Sequence, residues 1–209
     1  MCILLSTLLG IIVAPGSMSN ITWLKRVIRG YIEVVRNTPL LVQLYFIYFG
    51  IYEIGIQMSP LPAVVIALIL NNGGYISEIL RGGLESIPKT QREAAFSLGL
   101  SSFQTFHHIY LPQALKKIFP ALGNQYLALT LSSSLGAAIS LEELTFTISR
   151  LSSMTFRPFE LYLAGTALYI AITFSFIFLM RIFGYIFFSR RRKFSFKLRP
   201  WKKISAVSI

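Results

Sequence analysis

The 209-residue sequence is 54% apolar and only 13% charged, with a mean hydropathy of +0.63, more oil-soluble surface than one soluble core would bury. Its formal charge of +12 does not point to nucleic acid, because the basic residues stand between long uncharged stretches instead of among polar ones. The single cysteine, Cys2, excludes an internal disulfide, no Cys/His cluster has metal-ligand spacing, and neither Gly-Lys-Ser nor Gly-Lys-Thr occurs, so ATP, if involved, is bound by another chain.

Taken in chain order, the first element is the apolar run 2–14. It has the length of a signal core, but no Lys or Arg precedes it and no small-x-small cleavage pattern follows. We read it as a membrane helix reaching to about residue 18, short for a bilayer that needs about 20 residues. The basic connection 25–36 comes next, with Trp23, Val27, Ile28, Tyr31, Ile32 and Val35 recurring at helical spacing. It is expected to lie along the membrane surface. Four further spans are predicted at 39–58, 61–80, 118–139 and 161–180. The expected fold is therefore an all-α integral membrane protein of five transmembrane helices, with one membrane domain over 1–188.

Of the twenty basic residues, all but Arg150 and Arg157 fall after the first, third and fifth predicted spans. Basic flanks are retained on the cytoplasmic side, which places the N-terminus outside and the C-terminus inside. The basic tail 189–209 reads as an orientation signal lying on anionic lipid.

The connection at about 82–117 is too patterned for a slack linker. Ile87-Pro88-Lys89 breaks the incoming helix, and Thr90-Gln91-Arg92-Glu93 has the spacing of a capping box led by Thr90. A short helix is predicted through Ala94 and Ala95 to Gly99, which suits the left-handed residue that closes a helix. Ser101-Ser102-Phe103-Gln104 can start a second helix with Phe103, Phe106 and Tyr110 on its apolar face, bent or ended by Pro112.

Glu93-Ala94-Ala95, three residues, Gly99, nine residues, Ile109, one residue and then Leu111-Pro112 resembles the signature loop of membrane subunits in bacterial ABC importers. The polar amino acid branch of that family is also resembled by Arg36-Asn37-Thr38-Pro39-Leu40-Leu41-Val42-Gln43, Glu78-Ile79-Leu80-Arg81-Gly82-Gly83 and Thr155-Phe156-Arg157-Pro158. The likeness runs from about residue 30 to about residue 188. It implies a type I importer permease in the bacterial inner membrane, without catalysis of its own. A second permease subunit, identical or homologous, would pair with it. Two ATPase subunits would carry the ATP and magnesium, with Glu93, Ala94, Ala95, Gly99, Ile109, Leu111 and Pro112 as the coupling contact. An extracytoplasmic solute-binding protein would deliver a polar amino acid such as glutamine, arginine or histidine. Two departures stand out: the first span is short, and Leu131-Ser132-Ser133-Ser134-Leu135 replaces a Lys-Asp-Thr-Ser-Leu-like run in span four.

Asn71 and Asn72 lie about ten residues into span three, near the bilayer centre at roughly 1.5 Å per residue. Unpaired amides are expensive there, so they line the substrate route or hydrogen-bond between helices. Asn124, Gln125, Ser132, Ser133 and Ser134 present the same choice. Glu78 is either a ligand for an amino group or a partner of Arg81 one turn away. Glu142 and Glu143 read as solvated, and His107 and His108 as poor metal ligands. A gradient-driven carrier would need deep charge relays or paired repeats, and neither is visible.

Overall fold

The computed structural model describes residues 1–188, so the predicted basic tail 189–209 lies outside the described residues. Every regular element among the described residues is helical. The order is α1 (Cys2–Ser17), α2 (Thr22–Asn37), α3 (Leu40–Glu53), α4 (Pro60–Glu85), α5 (Lys89–Ser97), α6 (Ser102–Thr105), a π-turn (Phe106–Tyr110), α7 (Leu111–Ser132), a 3-10 segment (Ser133–Ile139), α8 (Leu144–Thr155) and α9 (Pro158–Phe188).

Two of these helices, α4 and α9, are each long and apolar enough to cross a membrane. The predicted span 39–58 is shorter than expected: α3 ends at Glu53, and Gly55 turns the chain at φ +84°. Together α2 and α3 pass the same test of length and composition, but they meet at 109° across Thr38 and Pro39. Pro39 lacks an N–H and restricts Thr38 to extended backbone, so the helix cannot continue through this pair. The predicted span 118–139 is also divided, α-helical to Ser132 and then tightened into the 3-10 segment.

Pro112 does not end the second loop helix. α6, the π-turn and α7 form one continuous run, with Pro112 in the first turn of α7. Proline removes an N–H and its ring crowds the preceding turn, and the wider π-turn just before it makes that room.

α4 is the central post and packs against α1, α2, α3 and α7. Its seam with α1 is set by glycine: a Cβ on Gly10 would stand 2.5 Å from Ile76 Cγ2, and one on Gly73 would stand 2.6 Å from Leu9 Cδ2. Small residues of this kind let helix backbones approach where lipid offers no hydrophobic drive between helices. An apolar cluster of Leu44, Ala63, Val64, Ala67, Leu68, Leu129 and Ile139 joins α3, α4, α7 and the 3-10 segment. By contrast α9 exposes Phe174, Phe178, Tyr185 and Phe187, a surface suited to lipid.

α2 has three sides. Ile32 and Val35 are buried against the bundle, Arg26, Arg29 and Glu33 are exposed, and Trp23, Val27 and Val34 form an exposed apolar stripe at helical spacing. Such a helix fits the boundary between water and lipid.

Gly10→Val would force α1 from α4. We expect a loss of about 1–3 kcal/mol, the range for overpacked cores, seen as a lower thermal midpoint of the detergent-solubilised protein. An unchanged midpoint would show that the close seam carries no stability.

Candidate functional site

The predicted site residues gather mainly at two places: the α5–α6 loop and a polar cavity beside α4.

The loop helix begins two residues earlier than its capping-box spacing suggests. Pro88 occupies the N-cap position and no side chain caps the helix. Thr90 therefore sits inside the first turn, and the Thr90–Glu93 box does not form, because a capping side chain needs the extended backbone that only the N-cap has. The reciprocal box forms instead at α6, where Gln104 N–H donates to Ser101 Oγ at 3.2 Å and Ser101 N–H donates to Gln104 Oε1 at 2.9 Å.

The end of α5 is as expected. Gly99 has φ +77°, its N–H donates to Phe96 O at 2.9 Å, and Leu100 N–H donates to Ala95 O at 3.1 Å. This pair of bonds is the Schellman motif, which satisfies the carbonyls a helix end leaves open.

α5 is anchored on one side and free on the other. Ala95 is 1% exposed, and Gln113 Nε2 donates to Gln91 Oε1 at 2.6 Å and to Ile109 O at 2.9 Å. Gln113 thereby ties α5 to the root of α7, while Lys117 Nζ donates to Ser86 O at 2.8 Å. Glu93, Ala94 and Gly99 are exposed, whereas Ile109 in the π-turn and Leu111 and Pro112 at the start of α7 are half-buried. The first three thus lie on the free face, and the last three at its foot. Arg92 lies over the Phe96 ring at 5.3 Å. Of the predicted apolar face, Phe106 and Tyr110 turn into a small groove against α5, while Phe103 is left exposed beside His107. Nothing in the sequence spacing identified Gln113.

The second place starts from the break between α2 and α3. The last carbonyls of α2 have no helical partners, and side-chain amides supply them. Gln43 Nε2 donates to Val35 O at 3.0 Å and Thr38 O at 3.1 Å, and Asn71 Nδ2 donates to Val35 O at 3.1 Å and Gln43 Oε1 at 3.1 Å. Tyr31 Oη donates to Leu70 O at 2.6 Å and pins α2 to α4 from below. Asn71 is thus a cap for a broken helix.

Asn72 has a different task. It is 1% exposed, its Nδ2 donates to Ser6 Oγ at 2.7 Å, and its Oδ1 accepts from Gln125 Nε2 at 2.8 Å. Three helices, α1, α4 and α7, are joined through one amide. A further contact between Thr7 Oγ1 and Tyr126 Oη at 2.8 Å ties α1 to α7 directly.

These amides border a cavity of about 570 Å³ whose wall includes Arg36, Asn37, Asn71, Tyr75, Gln125 and Ser132. The other predicted route residues are elsewhere. Ser133 and Ser134 turn their hydroxyls to Thr130 O and Leu131 O at 2.7 and 2.8 Å, and Asn124 points into the groove between α7 and α9. Glu78 takes two bonds from Arg81, each 2.8 Å, and one from Arg36 at 3.3 Å, while Arg81 also holds Glu85. That ion cluster reaches the cavity through Arg36, which stands on its wall, whereas Glu78 itself does not line it. Ser6 and Tyr75 were missed because an isolated hydroxyl in an apolar run has no spacing signal.

Glu143 is not simply solvated. It is the N-cap of α8, accepting from Thr145 N–H at 2.9 Å and Phe146 N–H at 2.7 Å, and Tyr169 Oη of α9 donates to it at 3.3 Å.

The sequence from 6 to 193 matches the family of inner membrane components of binding-protein-dependent transport systems. This chain belongs to that family. It is 37% identical to the nopaline transport system permease protein NocM of Agrobacterium fabrum, over 69% of this chain and 64% of that protein. It is 38% identical to the glutamine transport system permease protein GlnP of Escherichia coli K12, over 72% of this chain and 70% of that one. The fold matches the crystal structure of an amino acid ABC transporter with histidines at a TM-score of 0.83 and 37% identity, covering 88% of this chain and 86% of that chain. The chain thus spans about two thirds of the two curated relatives.

Asn72→Leu would leave Ser6 and Gln125 without their shared partner. A loss of about 1 kcal/mol is expected for an interhelical hydrogen bond of this kind, read as a lower midpoint in thermal unfolding. Ser133→Ala, which removes only a bond to its own helix, should leave the midpoint within error; equal effects would contradict the division of roles.

Proposed function

We propose that the chain is the membrane-spanning permease subunit of an ATP-driven importer for polar amino acids. Five spans, with α2 at the inner surface, would carry the N-terminus outside and the C-terminus inside. Two such subunits, identical or homologous, would enclose the route, with two ATPase subunits below binding the ATP and magnesium, and a solute-binding protein above. The names of the relatives, permeases for nopaline and glutamine, support the substrate class.

The observation that carries the reading is the construction of α5. Its Glu93, Ala94 and Gly99 face is exposed, while Ala95 and the Gln91–Gln113 bond fix the opposite side to the foot of α7. A push on the free face would be delivered to the helix that carries Gln125 and Ser132 on the cavity wall. Force from ATPase closure therefore has a short, stiff path to the substrate route. A gradient-driven carrier gains no support: the family is one of binding-protein-dependent systems, and the Glu78 ion cluster is internally paired.

In proteoliposomes containing the whole complex, Glu93→Ala and Gly99→Trp should insert normally but lower ATP-driven uptake by about tenfold, the scale of a typical coupling free energy, with ATP hydrolysis retained. Full uptake by both variants would contradict the coupling role. Stoichiometric recovery of an ATPase with the unaltered chain, lost on replacing residues 90–99, is the companion result.

A further inference from the structure

We infer that the groove between α7 and α9 is a binding site for one phospholipid, its phosphate on Arg181 and an ester carbonyl on Asn124. The site depends on α9 crossing the membrane and not on which solute is carried.

The groove holds about 330 Å³, and its wall includes Asn124, Leu127, Phe176, Ile177, Met180 and Arg181. The two helices touch beside it at glycines: a Cβ on Gly184 would stand 2.9 Å from Phe119 Cε1, and one on Gly123 would stand 3.1 Å from Met180 Cε. These contacts set an antiparallel register, so the wall residues fall in one order along the helices. Arg181 comes first from the C-terminal end of α9, Asn124 next, and the apolar Leu127, Phe176 and Ile177 furthest from that end. At roughly 1.5 Å per residue Arg181 stands about 35 Å from Pro158, past the roughly 30 Å of a hydrocarbon core. A charged group at the membrane boundary, then an amide, then hydrocarbon matches the order of groups along a phospholipid.

Both polar groups on this wall are exposed, and among the described residues neither has a hydrogen-bond or ion-pair partner. At this depth an unpaired guanidinium or amide is costly. A lipid phosphate supplies acceptors in the spacing a guanidinium fits, and an ester carbonyl accepts from Asn124 Nδ2. The rival occupant is a second copy of this chain. The sequence has no aspartate, α1 and α7 carry no glutamate, and α3 and α9 carry theirs, Glu53 and Glu160, at the end far from Arg181. Glu78 and Glu85 of α4 are held by Arg81. The spanning helices of a second copy thus bring Arg181 no free carboxylate, whereas every phospholipid brings a phosphate.

The test counts phospholipid retained on the purified, detergent-washed complex by native mass spectrometry, with phosphatidylglycerol and phosphatidylcholine as probes. One phosphatidylglycerol per copy of the chain should survive washes that remove the rest. It should bind about fivefold more tightly than phosphatidylcholine, whose ammonium offsets the phosphate charge. Arg181→Gln should weaken phosphatidylglycerol by a similar factor, Arg181→Lys should keep most of the preference, and Asn124→Leu should weaken both lipids alike. Phe178→Leu, on the exposed surface of α9 outside the groove, should change neither. Added phosphatidylglycerol should also raise the thermal midpoint of the unaltered complex and leave that of Arg181→Gln unmoved. Equal retention, or an equal midpoint shift, in the unaltered chain and Arg181→Gln overturns the proposal. So does equal binding of the two lipids, or a disulfide between two Arg181→Cys chains with no lipid retained, which assigns the groove to a second copy.

Discussion

A helix that breaks against packed neighbours leaves its last carbonyls without helical partners, and other groups must satisfy them. Here that constraint falls on the junction of α2 and α3, and Gln43 and Asn71 meet it from two different helices. Their bonds hold the 109° bend against α4. Asn72, the next residue along, uses its amide to fasten α1 and α7 to the same post. Each such bond is worth only about 1 kcal/mol net, but leaving a group unpaired costs about 1–3 kcal/mol, so the network specifies one arrangement more than it adds stability.

The cavity follows from this arrangement. The bend at Thr38 and Pro39 borders the recess, and Asn71, one of the two side chains that secure the bend, is part of its wall. α7 connects the recess to the outside of the bundle. Its foot, widened by the π-turn ahead of Pro112, is bonded through Gln113 to α5, while Gln125 and Ser132 higher up reach the wall. One helix thus touches both the exposed loop and the site it would control.

Much of this was legible in the sequence, and the failures have physical causes. Hydropathy identified α4 and α9 because a long apolar run has few alternatives. The helical and amphipathic character of α2 followed from apolar residues recurring at helical spacing among basic ones. Gly99 was readable because a left-handed helix end leaves few choices of residue. The Thr90–Glu93 box failed because Pro88 is itself suited to start a helix, which moves Thr90 into the first turn. Asn124 and the serines 132–134 could not be sorted from sequence, since the side each residue faces depends on where α7 tightens into the 3-10 segment. Glu143 looked solvated because a glutamate is an uncommon cap, and its partner Tyr169 lies on another helix.

The polar residues of the bundle run from Ser6, fully enclosed behind Asn72, to Ser132 on the cavity wall. The most direct test of that arrangement is the rate at which single cysteines, placed in a chain with Cys2→Ser, react with a small water-soluble thiol reagent in the assembled complex. Ser132→Cys on the wall should react readily, and Ser6→Cys, fully enclosed beside Asn72, should stay unmodified while the protein remains folded. Equal reactivity at the two positions, or modification of residue 6 alone, would contradict it.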